Sequence, residues 1–326
     1  MLSLSLIEHV LAAVPGKTIG LVGDLFLDRY FDIDPALDEA SVETGLAAWQ
    51  VTGVRSYPGA LGTVLNNLAA LGVGRIVPVS LVGDDGEGYE LRQALAKLPA
   101  VDATHVLVRA DRRTPTYAKP MRGADEQNRL DTKNRTPTPA EAEAEILARL
   151  EAMWHECAVI VVVDQVREAE CGVVTARVRD RLRAIAAERF VLADSRERIA
   201  LFGGICVKPN ARETELLLAQ PMPPMPTLIF ATDGAAGSRL FVPGNPSPTL
   251  VPGYPVRGPV DICGAGDSCS AGIACGMASG LTPAHAAAFG NLVASVTVQQ
   301  IGVTGTATPA QVRARFIEHQ ASREND

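Results

Sequence analysis

Aromatic side chains are scarce. Two tryptophans, five tyrosines and eight phenylalanines make up 5% of the 326 residues, so any core must be chiefly aliphatic. At 47% hydrophobic content the chain can build a sizeable core without covalent staples. No apolar run approaches the roughly 18 residues that span a bilayer. Positive charge is in deficit: the net charge is -7, which argues against the clustered basic face that a nucleic-acid backbone requires.

Zinc-type spacing is missing as well. Cys263, Cys269 and Cys275 recur every six residues with no histidine close by. They and Cys157, Cys171 and Cys206 are expected to stay reduced, as small buried packing residues. The opening stretch MLSLSLIEHVLAAVPGK has no basic segment before its apolar part and carries Glu8 and His9 within it. It reads as an amphipathic helix and not as a secretion signal, so a cytoplasmic protein is expected. A G-x-G-x-x-G turn after the first β-type run is also lacking; LVGDLFLD stands there, against a dinucleotide-dependent oxidoreductase.

What is present is an alternation of strand-like and helix-like stretches. TIGLVG (18–23) is a short β run, and the acidic, amphipathic DLFLDRYFDID behind it reads as a functional loop. In PGALGTVLNNLAALGVG (58–74), Leu61, Val64, Leu65, Leu68 and Leu71 share one helical face. RIVPVSLVGDD (75–85) is a β run, followed by a helix from about residue 87. TPAE, from Thr138, has the form of a capping box with Pro139 at the first helical position, starting a helix to about residue 155. CAVIVVVD (157–164), nearly all β-branched and without alternation, predicts a central parallel strand buried on both faces. A helix over 171–188, strands at 190–194 and 205–210, a helix over 211–219 and a strand at 227–234 continue the series. The fold class is therefore α/β with a mostly parallel sheet. Segments 31–57 and 113–131 break the rhythm with alternating patterns and turn residues, and are expected to pair as a small accessory sheet. PMPPMP (221–226) reads as a short rigid connector.

The chemistry concentrates in DICGAGDSCSAG (261–272). Small and apolar residues continue from it to residue 280 without a breaker, which places GAGD at the start of a buried helix. A helix N-terminus favours an anion through its free amides and dipole, and glycine lets that backbone come close. Asp267 is a poor phosphate ligand there, because like charges repel. It suits a base that takes a proton from an attacking hydroxyl, while the Gly264, Ala265 and Gly266 amides hold developing negative charge. The competing reading is that Asp267 only caps the helix and the glycines only permit close packing.

D-I-C-G-A-G-D-S resembles the C-terminal signature of the ribokinase/PfkB family of sugar kinases, and further landmarks follow in that family's order along almost the entire chain. The resemblance implies one ribokinase-like three-layer α/β/α domain over 1–326, with a mostly parallel central sheet and segments 31–57 and 113–131 as a small β lid. Gly23-Asp24-x-x-x-Asp28 is similar to the family motif whose second aspartate binds sugar hydroxyls; a carboxylate accepts from two neighbouring hydroxyls at once. Pro58 to Thr63 resembles P-G-G-x-x-x-N and implies sugar contacts from Gly59, Ala60 and Thr63. Ala60 replaces the second glycine, and Thr63 or Asn67 must stand in for the missing asparagine.

The family's D-Y-x-K-G is absent: Asp164-Gln165 stands in its place, with Arg167 an approximate replacement for the lysine. Asp194-Ser195-Arg196 resembles D-P-K and turns Arg196 toward phosphate. Lys208-Pro209-Asn210-x-x-Glu213 resembles K/T-P-N-x-x-E, in which Asn210 and Glu213 organise ATP phosphates and Mg²⁺, the glutamate through water. Thr232, Gly234 and Gly237 fall in a turn similar to V-T-x-G-x-x-G beside the nucleotide, and Asn291 where the family has an asparagine near the adenine. The resemblance further implies K⁺ at Asp261 and the Cys263 carbonyl.

Leu27-Asp28-Arg29-Tyr30, Thr114-Pro115-Thr116 with Lys119, and Gln127 to Asp131 are most similar to the heptose-7-phosphate kinase subgroup. Arg113, Lys119, Arg122 and Arg129 would then meet a phosphate already on the sugar; the blander alternative is a solvated lid face. The implied function is ATP-dependent phosphorylation of a sugar or sugar-phosphate hydroxyl by a homodimer joined through its lids. A nucleoside or hexose phosphate remains an alternative substrate. A protein that binds sugar or nucleotide without turnover is the second reading, suggested by the altered first signature and opposed by the intact G-A-G-D.

Overall fold

A computed structural model describes residues 2–219 and 224–324. The first half runs α1 (Leu4–Ala13), β1 (Thr18–Gly23), β2 (Leu25–Ile33), β3 (Glu39–Ala40), β4 (Ala47–Ala48), β5 (Val51–Ala60), α2 (Leu61–Ala70), β6 (Arg75–Gly83), α3 (Gly86–Ala96) and β7 (Val106–Arg109). Then come β8 (Thr116–Arg122), β9 (Asp125–Glu126), β10 (Leu130–Thr132), α4 (Ala140–Trp154), β11 (Val159–Asp164), α5 (Ala176–Ile185), β12 (Phe190–Ser195) and β13 (Cys206–Val207). The chain closes with α6 (Ala211–Ala219), β14 (Ile229–Thr232), β15 (Gly237–Phe241), β16 (Thr249–Pro252), α7 (Ala265–Ala278), α8 (Pro283–Thr297) and α9 (Pro309–Glu324).

A nine-stranded sheet takes the order β16-β15-β14-β13-β12-β11-β1-β6-β7. Its pairs are parallel from β7 to β14, and only β14, β15 and β16 run antiparallel. The β-branched run becomes β11, near the middle. Val159, Val161 and Val163 enter one core with α2, α7 and α8, while Ile160 and Val162 enter the other with α4 and α5. A strand covered on both faces has no wet side, so alternation vanishes from its sequence. Each fully buried valine or isoleucine contributes roughly 1.5–3 kcal/mol, which is how an aromatic-poor chain sustains two cores. No helix among the described residues is long and apolar enough to cross a membrane.

The expected accessory sheet forms, in the order β10-β8-β2-β5, but its bounds differ. DLFLDRYFDID is not a loop; it supplies the nine-residue strand β2, paired antiparallel to β5 and parallel to β8, so the sheet begins at residue 25. Charged residues disguise this strand, yet each finds a partner: Asp28 with Lys119 on β8, Arg29 with Glu90 on α3, and Asp32 with Arg55 on β5.

Three further expectations are corrected. α4 begins at Ala140, and the Thr138 hydroxyl donates to the Gly172 carbonyl at 2.7 Å instead of capping the helix. The helix expected over 171–188 is the shorter α5, capped by Thr175, because residues before it are held elsewhere. Five cysteines are buried as expected, whereas Cys263 is exposed just before α7. Of the PMPPMP connector, residues 221–223 lie outside the described residues.

Asp24 sits in the joint where the two sheets part, and it is buried. Its carboxylate accepts from the N–H groups of Gln165 and Val166, at 3.1 Å each, and of Val173 at 2.7 Å. Burial, with the Asp164 charge behind it, raises its pKa to about 6. Asp24→Ala strands these three donors and is expected to lower the unfolding free energy by about 3 kcal/mol in urea titration. A loss below about 1 kcal/mol would mean the joint does not depend on it.

Candidate active site

α7 starts at a left-handed residue. Gly264 has φ 76°, and a Cβ there would come within 2.6 Å of the Thr304 methyl, so both conformation and space demand glycine. Of the three amides expected to form an anion hole, that of Ala265 closes the turn onto the Ile262 carbonyl at 3.2 Å. The Gly264 and Gly266 amides have no acceptor among the described residues and are open to an anion, as first-turn donors are.

Asp267 follows in that first turn, partly exposed toward a cleft, and its carboxylate accepts no hydrogen bond from the described residues. Desolvation by the surrounding protein pushes its pKa up to about 7; Asp194 adds to this, and Lys208 and Arg196 oppose it. Lys208 is buried, with Nζ 2.8 Å from the Asp194 carboxylate and close to Gly266. Burial alone would lower its pKa, but Asp194 and neighbouring acidic groups hold it above the ordinary lysine value. The sequence motif alone assigns Lys208 no role. A lone lysine inside the β run ICVKPN was the available signal, since a charge there must be paired.

The cleft has a volume of about 960 Å³. It gathers Gly264, Ala265, Gly266 and Asp267 with Arg196, Asn210 and Glu213 on one side and Thr232, Gly234, Gly237 and Asn291 on another. Several of these also frame it. Asn210 Oδ1 accepts from the Glu213 N–H at 3.0 Å and Glu213 Oε2 from the Asn210 N–H at 2.9 Å, a reciprocal cap on α6. Burial raises the Glu213 pKa, and its second oxygen accepts no hydrogen bond from the described residues. The Thr232 hydroxyl donates to the Pro209 carbonyl, and the Asn291 amide donates to Ser238 Oγ and to the Val251 and Pro252 carbonyls.

A second cluster forms where β2, β5 and β8 meet, and none of it lines the cleft. Gly59 is required by close approach: a Cβ would lie 2.6 Å from Asp28 Oδ2. Asp28 Oδ1 is buried without a hydrogen-bond partner, 3.4 Å from Lys119 Nζ, which donates to the Tyr30 hydroxyl at 3.1 Å. Burial raises the Asp28 pKa against the pull of Lys119, and the Asp28 charge is felt at Asp267. Ala60 holds φ 54°, a strained value for a residue with a Cβ, where the family's glycine would fit without strain. Thr63 packs against Gly264 and so joins the two clusters.

Other expected residues are engaged elsewhere. Asn67 is fully buried behind Thr63; its amide donates to the Thr63 and Gly305 carbonyls, and its Oδ1 has no hydrogen-bond partner among the described residues. The four lid cations all have carboxylate partners: Arg113 with Asp85 and Glu87, Lys119 with Asp28, Arg122 with Asp38, and Arg129 with Asp131. Arg129 also lies 4.0 Å above the Tyr117 ring. Asp164 ends its strand tied to Arg198 and Ser195, and Arg167 pairs with Glu197. Both Asp261 oxygens accept backbone N–H groups, from Cys263 and Gly302. That carboxylate clamps the residues before α7 to the Gly302 loop, and no group of three His, Cys, Asp or Glu side chains placed to hold a metal ion gathers among the described residues.

The profile described as pfkB family carbohydrate kinase matches residues 32–311. A bifunctional protein HldE from Caulobacter sp. (strain K31) is 31% identical over 336 aligned positions, covering 96% of this chain and 66% of that protein. The chain thus spans slightly less than two thirds of such relatives. Among solved structures, Arabidopsis thaliana ribokinase complexed with ribose and ATP superposes with a TM-score of 0.65 at 17% identity, covering 93% of this chain and 98% of that one. A putative ribokinase II from E. coli in complex with ATP and Mg²⁺ gives 0.66 at 16% identity, over 93% of this chain and 100% of that one.

Proposed function

The chain belongs to the pfkB family of carbohydrate kinases, phosphotransferases acting on sugar hydroxyls, and on that premise we propose that it transfers the γ-phosphate of ATP to a hydroxyl of a sugar or sugar phosphate. Asp267 is the general base. The observation that supports this most is its state: a carboxylate free of protein hydrogen bonds, beside open helix-start amides, with its pKa at about 7. A base with that value is half deprotonated at neutral pH and still strong enough to take a hydroxyl proton. Gly264 and Gly266 amides, Lys208 and Arg196 would stabilise charge on the transferring phosphoryl group.

Asp28, through its unpartnered Oδ1, would accept from sugar hydroxyls, with Gly59 giving it room and Thr63 beside it. Mg²⁺, when bound, supplies charge neutralisation of the phosphates; the free Glu213 oxygen and Asn210 fit an ion that keeps most of its waters. Similarity to HldE proteins and to the heptose-7-phosphate kinase subgroup supports a heptose 7-phosphate-like substrate. The small sheet would act as a lid that excludes water. Its exposed Val51, Val54 and Leu130, which the strand register puts on one face, support a homodimer in which a second lid covers them.

Asp267→Asn is expected to lower turnover at least about 100-fold with a sugar-phosphate panel while calorimetry still detects ATP binding. Near-wild-type turnover would remove Asp267 from the base role, and ATP binding without turnover by the native protein would favour a non-catalytic binder. Sedimentation equilibrium should give twice the 34.4 kDa chain mass; a monomer at micromolar concentration would refute the lid interface.

A further inference from the structure

Between the end of β16 at Pro252 and the start of α7 at Ala265 the chain has no helix or strand, yet it makes a wall of the cleft. Tyr254, Val256, Gly258 and Val260 line that wall together with Ala294 and Val298 of α8. It carries no charged side chain; the charged lining residues, among them Asp194, Arg196, Lys208 and Asp267, come from elsewhere. An apolar wall suits the flat body of a nucleobase, and the charged side suits its phosphates.

Nothing in secondary structure holds this segment, so its hydrogen bonds must be found outside it. Backbone bonds hold its two ends, the Gly253 N–H donating to the Ala236 carbonyl at 3.1 Å and the Asp261 N–H to the Val298 carbonyl at 2.8 Å; between them it is met by Arg315 in α9, which is buried. Its Nη2 donates to the carbonyls of Tyr254, at 3.2 Å, and Pro255; its Nε lies 3.3 Å from Ser295 Oγ on α8, and its Nη1 2.8 Å from Glu318. One guanidinium, with five donors in a fixed fork, thus joins the segment to two helices; a lysine could not make this set of bonds. The same helix receives the Tyr254 ring, 4.8 Å from His319 and 6.5 Å from Phe316.

We infer that Arg315 is a positioning residue for the nucleotide: by clamping Tyr254 and Pro255 to α8 and α9 it fixes the base-binding wall, without itself touching the cleft. The inference rests on the proposed nucleotide site. It assigns to the C-terminal helix a role in nucleotide affinity and none in sugar affinity or phosphoryl transfer.

The test compares native protein with Arg315→Met and Arg315→Lys. Amide hydrogen exchange over 253–260, without ligand, should accelerate about tenfold or more in Arg315→Met and less in Arg315→Lys. KM for ATP should rise about tenfold in Arg315→Met, while kcat and the sugar KM stay within about threefold, because a wall displaced by a fraction of an ångström weakens binding at that end alone. Unchanged exchange and unchanged KM for ATP would overturn the inference, as would equal rises in both KM values. If exchange accelerates but the native protein binds no ATP, the nucleotide reading fails and the clamp stands. Should Arg315→Met not fold, Arg315→Lys decides by the same readings.

Discussion

The ion pair between Lys208 and Asp194 is the interaction on which the candidate site depends. It is 2.8 Å long and lies under the first turn of α7, with Asp267 close by. Two carboxylates and one ammonium share a poorly solvated space, so full ionisation leaves one negative charge without a partner. The ammonium is committed to Asp194. The surplus falls on Asp267, which accordingly holds a proton up to about pH 7. Without Lys208, two partly buried carboxylates would repel each other with nothing between them, and without Asp194 the ammonium would be left to pair with Asp267.

The sheet brings these groups together. Asp194 lies at the C-terminal end of β12, Lys208 follows β13, and α7 begins near both. Ligands of open α/β sheets bind beyond the carboxyl ends of the strands for this reason: several strands deliver side chains to one rim, and helix N-termini face it. The second sheet adds Asp28 and Lys119, and Asp24 fixes the joint from which that sheet departs. The far wall of the cleft is shaped from outside, by the guanidinium of Arg315.

Much of this was legible in the sequence wherever one physical demand dominated a segment. A β-branched run without alternation had to be a doubly covered strand, and GAGD before a small-residue run had to be a buried helix start. Legibility failed where long-range pairing set the outcome. β2 looks like a loop because its charges are answered by Lys119, Glu90 and Arg55, residues 23 to 91 positions away on other strands or on α3. The bonds of the Asn67 amide to the Thr63 and Gly305 carbonyls, the second of them 238 positions away, are equally absent from the local pattern. The carboxylate partners of the lid cations show only in three dimensions. Arg315 was invisible for a related reason: with Glu318 three positions on, it has the spacing of an ordinary surface pair.

The central claim is that burial and Asp194, against Lys208, hold Asp267 near neutrality as a proton acceptor. It is tested most directly by following the ¹³C side-chain carboxyl resonance of Asp267 through a pH titration, assigned by its loss in Asp267→Asn. The account predicts a midpoint at about 7. A midpoint near 4, the ordinary aspartate range, would contradict it.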